Sequence, residues 1–164
     1  MYAGRFFTVV GKGTFNDIDD YCKEIASIEL GIKDQPELLI NSDITTVRDV
    51  IDVKDAVQAI QLIMKKGKAG EVYNIGTGKP ITTKTILRTL VTSSTKASSI
   101  KAKQVTSSSS QALRGTATNP ANVCQVADIS LLTRTTGFSI QYPLTTSIEE
   151  SLSFWRKELK SNAK

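Results

Sequence analysis

Arg48 stands where a β-rich run, Val47 to Ile51, gives way to a helical periodicity, with Asp49, Asp52 and Asp55 close behind it. A guanidinium is a planar, permanently charged fork of donors, suited to a phosphate or to a carboxylate. The neighbouring aspartates offer the second use. Two glycine pairs, Gly11-Lys12-Gly13 and Gly76-Thr77-Gly78, follow predicted strands and raise the question of a phosphate-cradling loop. Neither completes a dinucleotide fingerprint. Asn16 stands at the third glycine position after the first pair, and Ile81 after the second, with Pro80 intervening. Both read as turns. Asp17, Asp19 and Asp20 read as first-turn charges that suit a helix dipole, not as paired acid/base or metal groups. The sequence has no histidine, which removes Ser-His-Asp and Cys-His catalysis and the commonest zinc sites. Cys22 and Cys124 match no zinc spacing and are too few for a disulfide scaffold, so they read as buried free thiols.

The elements that must position Arg48 follow from periodicity. Residues 5–10, RFFTVV, read as a strand, and 37–41, ELLIN, as another. Ile18 to Leu30 reads as a helix with Ile18, Cys22, Ile25 and Ile28 or Glu29 on one face, widened by Tyr21 and ended at Gly31. A second helix spans Val53 to Lys66. Asp52 is its N-cap and Gly67 its end, and Val53, Val57, Ile60 and Met64, with Ala56 and Ile63, form the expected apolar stripe. Glu71 to Ile75 is a strand, and Lys84 to Val91 a modest helix. Ser and Thr dominate residues 92–119, predicting a mobile loop in which residues 100–105 alone alternate like an edge strand. Asp128 is placed to cap a helix over 129–135 that stops at Gly137. The last helix carries Ile148, Leu152, Trp155 and Leu159, with Thr146/Glu149 or Ser147/Glu150 as a capping box and Trp155 as a core anchor.

At 164 residues the chain is long enough for a buried core, and 40% apolar with 23% charged residues is ordinary for a globular protein. No apolar run reaches the length of a membrane span, and the first residues lack a signal-peptide layout, so a cytoplasmic location is expected. The net charge of +5 suits an anionic ligand. It also suits nucleic acid, but scattered lysines and few aromatics offer no stacking platform.

Two stretches, VRDVIDVKDAVQA and GKAGEVYNIGTGKPITT, resemble the C-terminal half of extended short-chain dehydrogenase/reductases acting on nucleotide sugars. The similarity is greatest to the GDP-mannose 4,6-dehydratase and GDP-4-keto-6-deoxymannose reductase types. The pattern of Ala127-Asp128, Thr136-Gly137-Phe138, Pro143-Leu144 and Phe154-Trp155-Arg156 resembles the same family's closing segment. The resemblance implies an α/β fold: the C-terminal, substrate-binding part of a Rossmann-type enzyme, lacking most of the cofactor domain. It divides the chain into a terminal strand and turn (1–16), a substrate-side α/β unit (17–91), the Ser/Thr-rich loop (92–119) and a helical closing segment (120–164).

In that family the arginine of the Arg48-Asp49 pair helps hold the diphosphate of a nucleotide sugar, here expected to be GDP-linked. Asn74 ends a strand where ligand-facing residues gather, and a structural hydrogen bond is its alternative use. Thr8 stands where relatives carry a substrate-contacting asparagine. Asn119-Pro120 replaces an Arg-Pro pair that serves the phosphates, with Arg114 close enough to substitute if its loop folds back. The family uses NAD or NADP and a Tyr-x-x-x-Lys pair. Tyr2, Tyr21, Tyr73 and Tyr142 are followed at that distance by Phe6, Ile25, Thr77 and Thr146. No cofactor is therefore expected on this chain alone, and no catalysis without the cofactor domain; the chain is expected to be a gene fragment, the product of a truncated gene, or one half of a split enzyme whose partner chain supplies that domain. A homo-oligomer is a further expectation, and a non-catalytic interaction protein keeping a remnant of the fold is the alternative.

Overall fold

The computed structural model describes residues 2–14, 16–104 and 124–162. Its organising feature is one extended run with two partners. Strand β1 (Ala3–Phe6) pairs in parallel with β6 (Val72–Ile75), and β2 (Thr8–Val10) pairs in parallel with β5 (Val50–Asp52). The strand predicted over 5–10 is thus divided at Phe7. The amides of Ala3 and Phe7 donate to the Glu71 and Ile75 carbonyls on the β6 side, at 3.3 and 3.1 Å, whereas Thr8 N donates to Asp49 O at 3.1 Å. Successive amides of an extended chain point to opposite edges. So β6 lies along one edge of the first half, and β5 along the other edge of the second.

Helix α1 (Asp17–Glu29) follows β2 and buries Ile18, Tyr21, Cys22, Ile25 and Ile28, the face predicted from spacing. Its N-cap is Asn16, whose Oδ1 accepts from Ile18 N and Asp19 N at 3.0 and 3.1 Å. Gly31 follows its end with φ +71°, a conformation that costs glycine little. Strand β3 (Glu37–Ile40) pairs in parallel with β8 (Lys101–Gln104). Short β4 (Val47–Arg48) runs antiparallel to β7 (Ile81–Thr82), the register setting Arg48 opposite Ile81. Helix α3 (Thr83–Thr92) buries Ile86, Leu87 and Leu90 against α1. The loop expected over 92–119 divides. Its first part packs, with Ile100 and Ser94 buried and β8 paired. Residues 105–119 lie outside the described residues.

Helix α2 (Val53–Lys66) has the predicted ends, with Asp52 Oδ1 accepting from Lys54 N at 2.7 Å. Its buried face differs from expectation. Ala56, Ala59 and Ile63 are buried, whereas Val57, Ile60 and Met64 are 45%, 38% and 69% exposed. Small side chains let the helix approach Ile51, Tyr73 and Ile75 closely, and the larger apolar residues lie about 100° further round the helix. Spacing alone admits both faces, because each repeats every three to four residues.

Helix α4 (Ser130–Thr136) ends at Gly137 with φ +76°, as predicted. Asp128 Oδ1 accepts from Ser130 N at 2.9 Å, although the helix's own cap residue is Ile129. Helix α5 (Leu144–Asn162) begins earlier than predicted, which places both candidate capping boxes inside it. Ser147 Oγ donates instead to Asp52 at 2.6 Å. Trp155 anchors α5 to α1 through Nε1, which donates to Asp19 at 2.9 Å. Of the two cysteines, Cys22 is buried, with its thiol pushed up to about 12 by burial and by Asp19, and Cys124 is exposed, contrary to expectation.

Candidate functional site

The glycine pairs come first, because the sequence left them as turns. After Gly11-Lys12-Gly13, the α1 N-terminus is closed by Asn16, which takes two helix amides and also donates to Val9 O at 2.6 Å. A Cβ on Gly11 would meet the Val53 side chain at 2.5 Å, so this glycine serves packing against α2. At the second pair the amides are also taken. Thr77 N and Gly78 N donate to the two carboxylate oxygens of Asp49 at 2.7 and 2.8 Å, and Thr77 Oγ1 adds a third bond at 2.6 Å. Ala127 N supplies a fourth at 3.1 Å. A cofactor phosphate needs such amides free. The first-turn amides of Ile18 and Asp19 are spent on Asn16 and those of Thr77 and Gly78 on Asp49, so neither set is open to a dinucleotide's pyrophosphate.

Asp49 emerges from this as a residue whose role spacing did not reveal. It is 1% exposed and gathers β4–β5, the Gly76–Gly78 turn and the closing segment onto one carboxylate. Gly76 is required for it, since a Cβ there would meet Ala127 Cβ at 2.6 Å and Asp49 Oδ2 at 2.8 Å. Asp55, fully buried, does the same for Gln141 N and Tyr142 N at 3.0–3.2 Å. Of the three aspartates offered to Arg48 by sequence, all are engaged elsewhere: Asp52 caps α2 and binds Ser147.

Arg48 pairs with Asp17 instead, through Nη1 at 2.9 Å to Oδ1 and 2.6 Å to Oδ2, with 19% and 34% of the two side chains exposed. The sequence separation hides this pair; α1 brings its first turn over β4. Among the described residues Asp17 is the hydrogen-bond partner of Arg48, and it occupies one corner of the guanidinium. Beside the pair lies Tyr21, whose hydroxyl is 3.0 Å from Ser42 Oγ. Burial raises the Tyr21 pKa, with Asp17 adding to it, while Ser42 and Arg48 act in the opposite sense. Arg48, Asp17, Tyr21 and Ser42 thus form one polar cluster just past the carboxyl ends of β2 and β3. Such strand ends are where open α/β sheets take ligands.

The other residues singled out by sequence are not gathered there. Thr8 opens β2 opposite Val50, half-buried. Asn74 lies on β6, on the other side of the β1–β2 run, and its amide donates to Asp128 O at 3.1 Å. Tyr73, its neighbour, is buried, and its hydroxyl accepts from Lys68 N at 2.8 Å. Arg114 lies outside the described residues. A cleft of about 510 Å³ opens beside β7, lined by Val50, Thr77, Lys79, Ile81, Thr82 and Tyr142 among others.

Residues 1–76 match the NAD dependent epimerase/dehydratase family. The fold as a whole is similar to solved structures from that group. RMD from Pseudomonas aeruginosa, solved with NADPH, superposes with a TM-score of 0.80 at 21% identity, over 96% of this chain and 48% of its own. UDP-glucose 4-epimerase from Thermotoga maritima, solved with UDP-glucose, gives 0.71 at 21% identity over 96% and 46%. dTDP-glucose 4,6-dehydratase from Bacillus anthracis, solved with NAD, gives 0.69 at 19% identity over 97% and 45%. The α/β architecture is therefore that of Rossmann-type extended short-chain dehydrogenase/reductases, and the chain spans about half the length of these structures.

Proposed function

We propose that this chain is the nucleotide-sugar-binding half of an NAD(P)-dependent sugar-nucleotide dehydratase, epimerase or reductase, with GDP-linked sugars as the favoured ligand and no catalysis of its own. The observation that carries the reading is Arg48, a half-buried guanidinium held at one corner by Asp17, beside strand ends and a helix start. Its remaining donors suit two phosphate oxygens. Asp17 orients the fork in the absence of ligand. Thr8, at the start of β2, is a secondary contact in this reading, and the cleft beside Ile81, the register partner of Arg48, is room for the sugar end. Hydride transfer belongs to the cofactor domain of the parent fold. NAD or NADP is left to that domain, because Asn16 takes the Ile18 and Asp19 amides of α1 and Asp49 takes those of Thr77 and Gly78.

Calorimetric titration with GDP-mannose tests this. Binding at millimolar or tighter is expected, and Arg48→Ala should weaken it by about 2 kcal/mol, the loss of a charge-assisted pair. Asp17→Asn should preserve or tighten binding, since it frees a corner of the fork. The second reading, a non-catalytic interaction protein, is favoured by the same ion pair seen as a structural tie. It predicts no heat with any sugar nucleotide and a melting point lowered equally by Arg48→Ala and Asp17→Asn.

A further inference from the structure

The cleft beside β7, about 510 Å³, falls within the roughly 300–1,000 Å³ of small-ligand clefts. Val50, Ile81, Ile140 and Leu144 give it an apolar lining, and Thr77, Thr82 and Thr85 add hydroxyls. Every residue lining it is described. The chain resumes at Cys124 on the other edge of β4: Thr46 O accepts from Thr83 N on the β7 side, and Val47 O from Gln125 N on the opposite one. Charge gives the cleft its character. Lys79 contributes the one formal charge of the lining. Three carboxylates stand nearby, and each is claimed by other donors. Asp49 accepts from Thr77, Gly78 and Ala127, and Asp55 from the Gln141 and Tyr142 amides. Glu150 accepts from Lys54 at 2.7 Å. Lys79 enters no ion pair among the described residues. Lys54 Nζ in turn lies 3.9 Å from the centre of the Tyr142 ring. A cation so placed braces one face of the ring, and Tyr142, 36% exposed, lines the cleft with what remains.

We infer that this cleft takes a sugar with an acidic substituent, a hexuronate, with Lys79 selecting the carboxylate and Tyr142 forming the wall against the sugar ring. The inference rests on the reading of Arg48 as the diphosphate clamp, and it names the sugar end of that ligand. Arg48 and Ile81 are opposite one another in the β4–β7 pair, so their side chains leave the same face and the cleft begins beside the guanidinium. A sugar joined to a diphosphate held there enters it. A pyranose has an apolar C–H face, which the Tyr142 ring and the aliphatic lining suit, and hydroxyls that the threonines can meet as donors or acceptors. A neutral hexose gives Lys79 nothing further to bind. An ammonium in a lining without a carboxylate favours an anion, and on the sugar that anion is a carboxylate at the ring.

The test titrates GDP, GDP-mannose and GDP-mannuronate calorimetrically into the chain and into Lys79→Met, Lys79→Arg and Tyr142→Ala, at low salt. The wild-type chain should bind the mannuronate about fivefold more tightly than GDP-mannose, the worth of one partly exposed charge pair. Lys79→Met should bring that ratio to about one, Lys79→Arg should keep it, and GDP alone should bind all three forms equally. Lys79 is exposed, so neither change should move the melting point. Tyr142→Ala should weaken both sugar nucleotides about fivefold and leave GDP unchanged. GDP binding with a wild-type ratio of one or less, or a ratio that survives Lys79→Met, overturns this inference and leaves the Arg48 reading standing. So does a loss of GDP affinity in Lys79→Met, which would assign Lys79 to the phosphates. No binding of any of the three ligands overturns the Arg48 reading, and this inference with it.

Discussion

At the scale of single residues, the site turns on which carboxylate each donor found. Arg48 is flanked by three aspartates in sequence and pairs with none of them. Asp49, Asp52 and Asp55 each collect backbone amides, and the two most buried, Asp55 and Asp49, hold the closing segment. A buried carboxylate with four donors is costly to disturb. Asp49→Asn keeps one acceptor oxygen and turns an amide donor toward Thr77 or Gly78, so a loss of about 2–4 kcal/mol in denaturant unfolding is expected. Gly76→Ala forces contacts at 2.6 and 2.8 Å with Ala127 and Asp49 and should cost about 1–3 kcal/mol. An unchanged midpoint for both variants would show that the closing segment is not held this way.

Between elements, one buried electrostatic tie joins α1, α5 and the turn that follows α3. Glu29, at the end of α1 with 4% of its side chain exposed, accepts from Arg156 Nε and Nη2 on α5 at 2.6 and 2.8 Å and from Ser94 Oγ at 2.7 Å. Burial opposes its ionisation, but Arg156, Ser94 and the Thr95 amide outweigh that and hold the carboxyl down at about 2. An unfolded glutamate titrates near 4.5. The folded form therefore keeps this stabilisation above about pH 4.5 and loses it as pH falls toward 2. Wild-type stability should drop through that window by roughly 3 kcal/mol from this group, the equivalent of its shift. In Glu29→Gln the contribution is missing at neutral pH and the slope between pH 4.5 and 2 is correspondingly shallower. Urea midpoints at pH 7 and pH 3 measure both.

For the whole molecule, the unevenly covered sheet is the central fact. Arg5 and Phe7 amides are bound to β6, while those of Gly4 and Phe6 point to the other edge, where no strand pairs with them among the described residues. Hydrogen exchange by NMR on the chain alone should alternate along the strand, with Arg5 and Phe7 slower than Gly4 and Phe6 by about two orders of magnitude. Uniform protection of all four would mean the edge is already covered. Uniformly fast exchange would mean that β1 does not hold to β6 in the isolated chain.

Local signals settled much of this in advance. The ends of α2 at Asp52 and Gly67, the stops at Gly31 and Gly137, and the apolar face of α1 are legible because caps and 3.6-residue spacing act within a few residues. The strand that divides at Phe7, the α2 face that packs, and the choice of Asp17 over nearer aspartates were not. Each depends on which distant segment arrives alongside: β5 and β6 on opposite edges, Tyr73 and Ile75 below a seam of alanines, the first turn of α1 over β4. Sequence spacing counts residues along one chain, whereas burial and pairing are decided by neighbours in space.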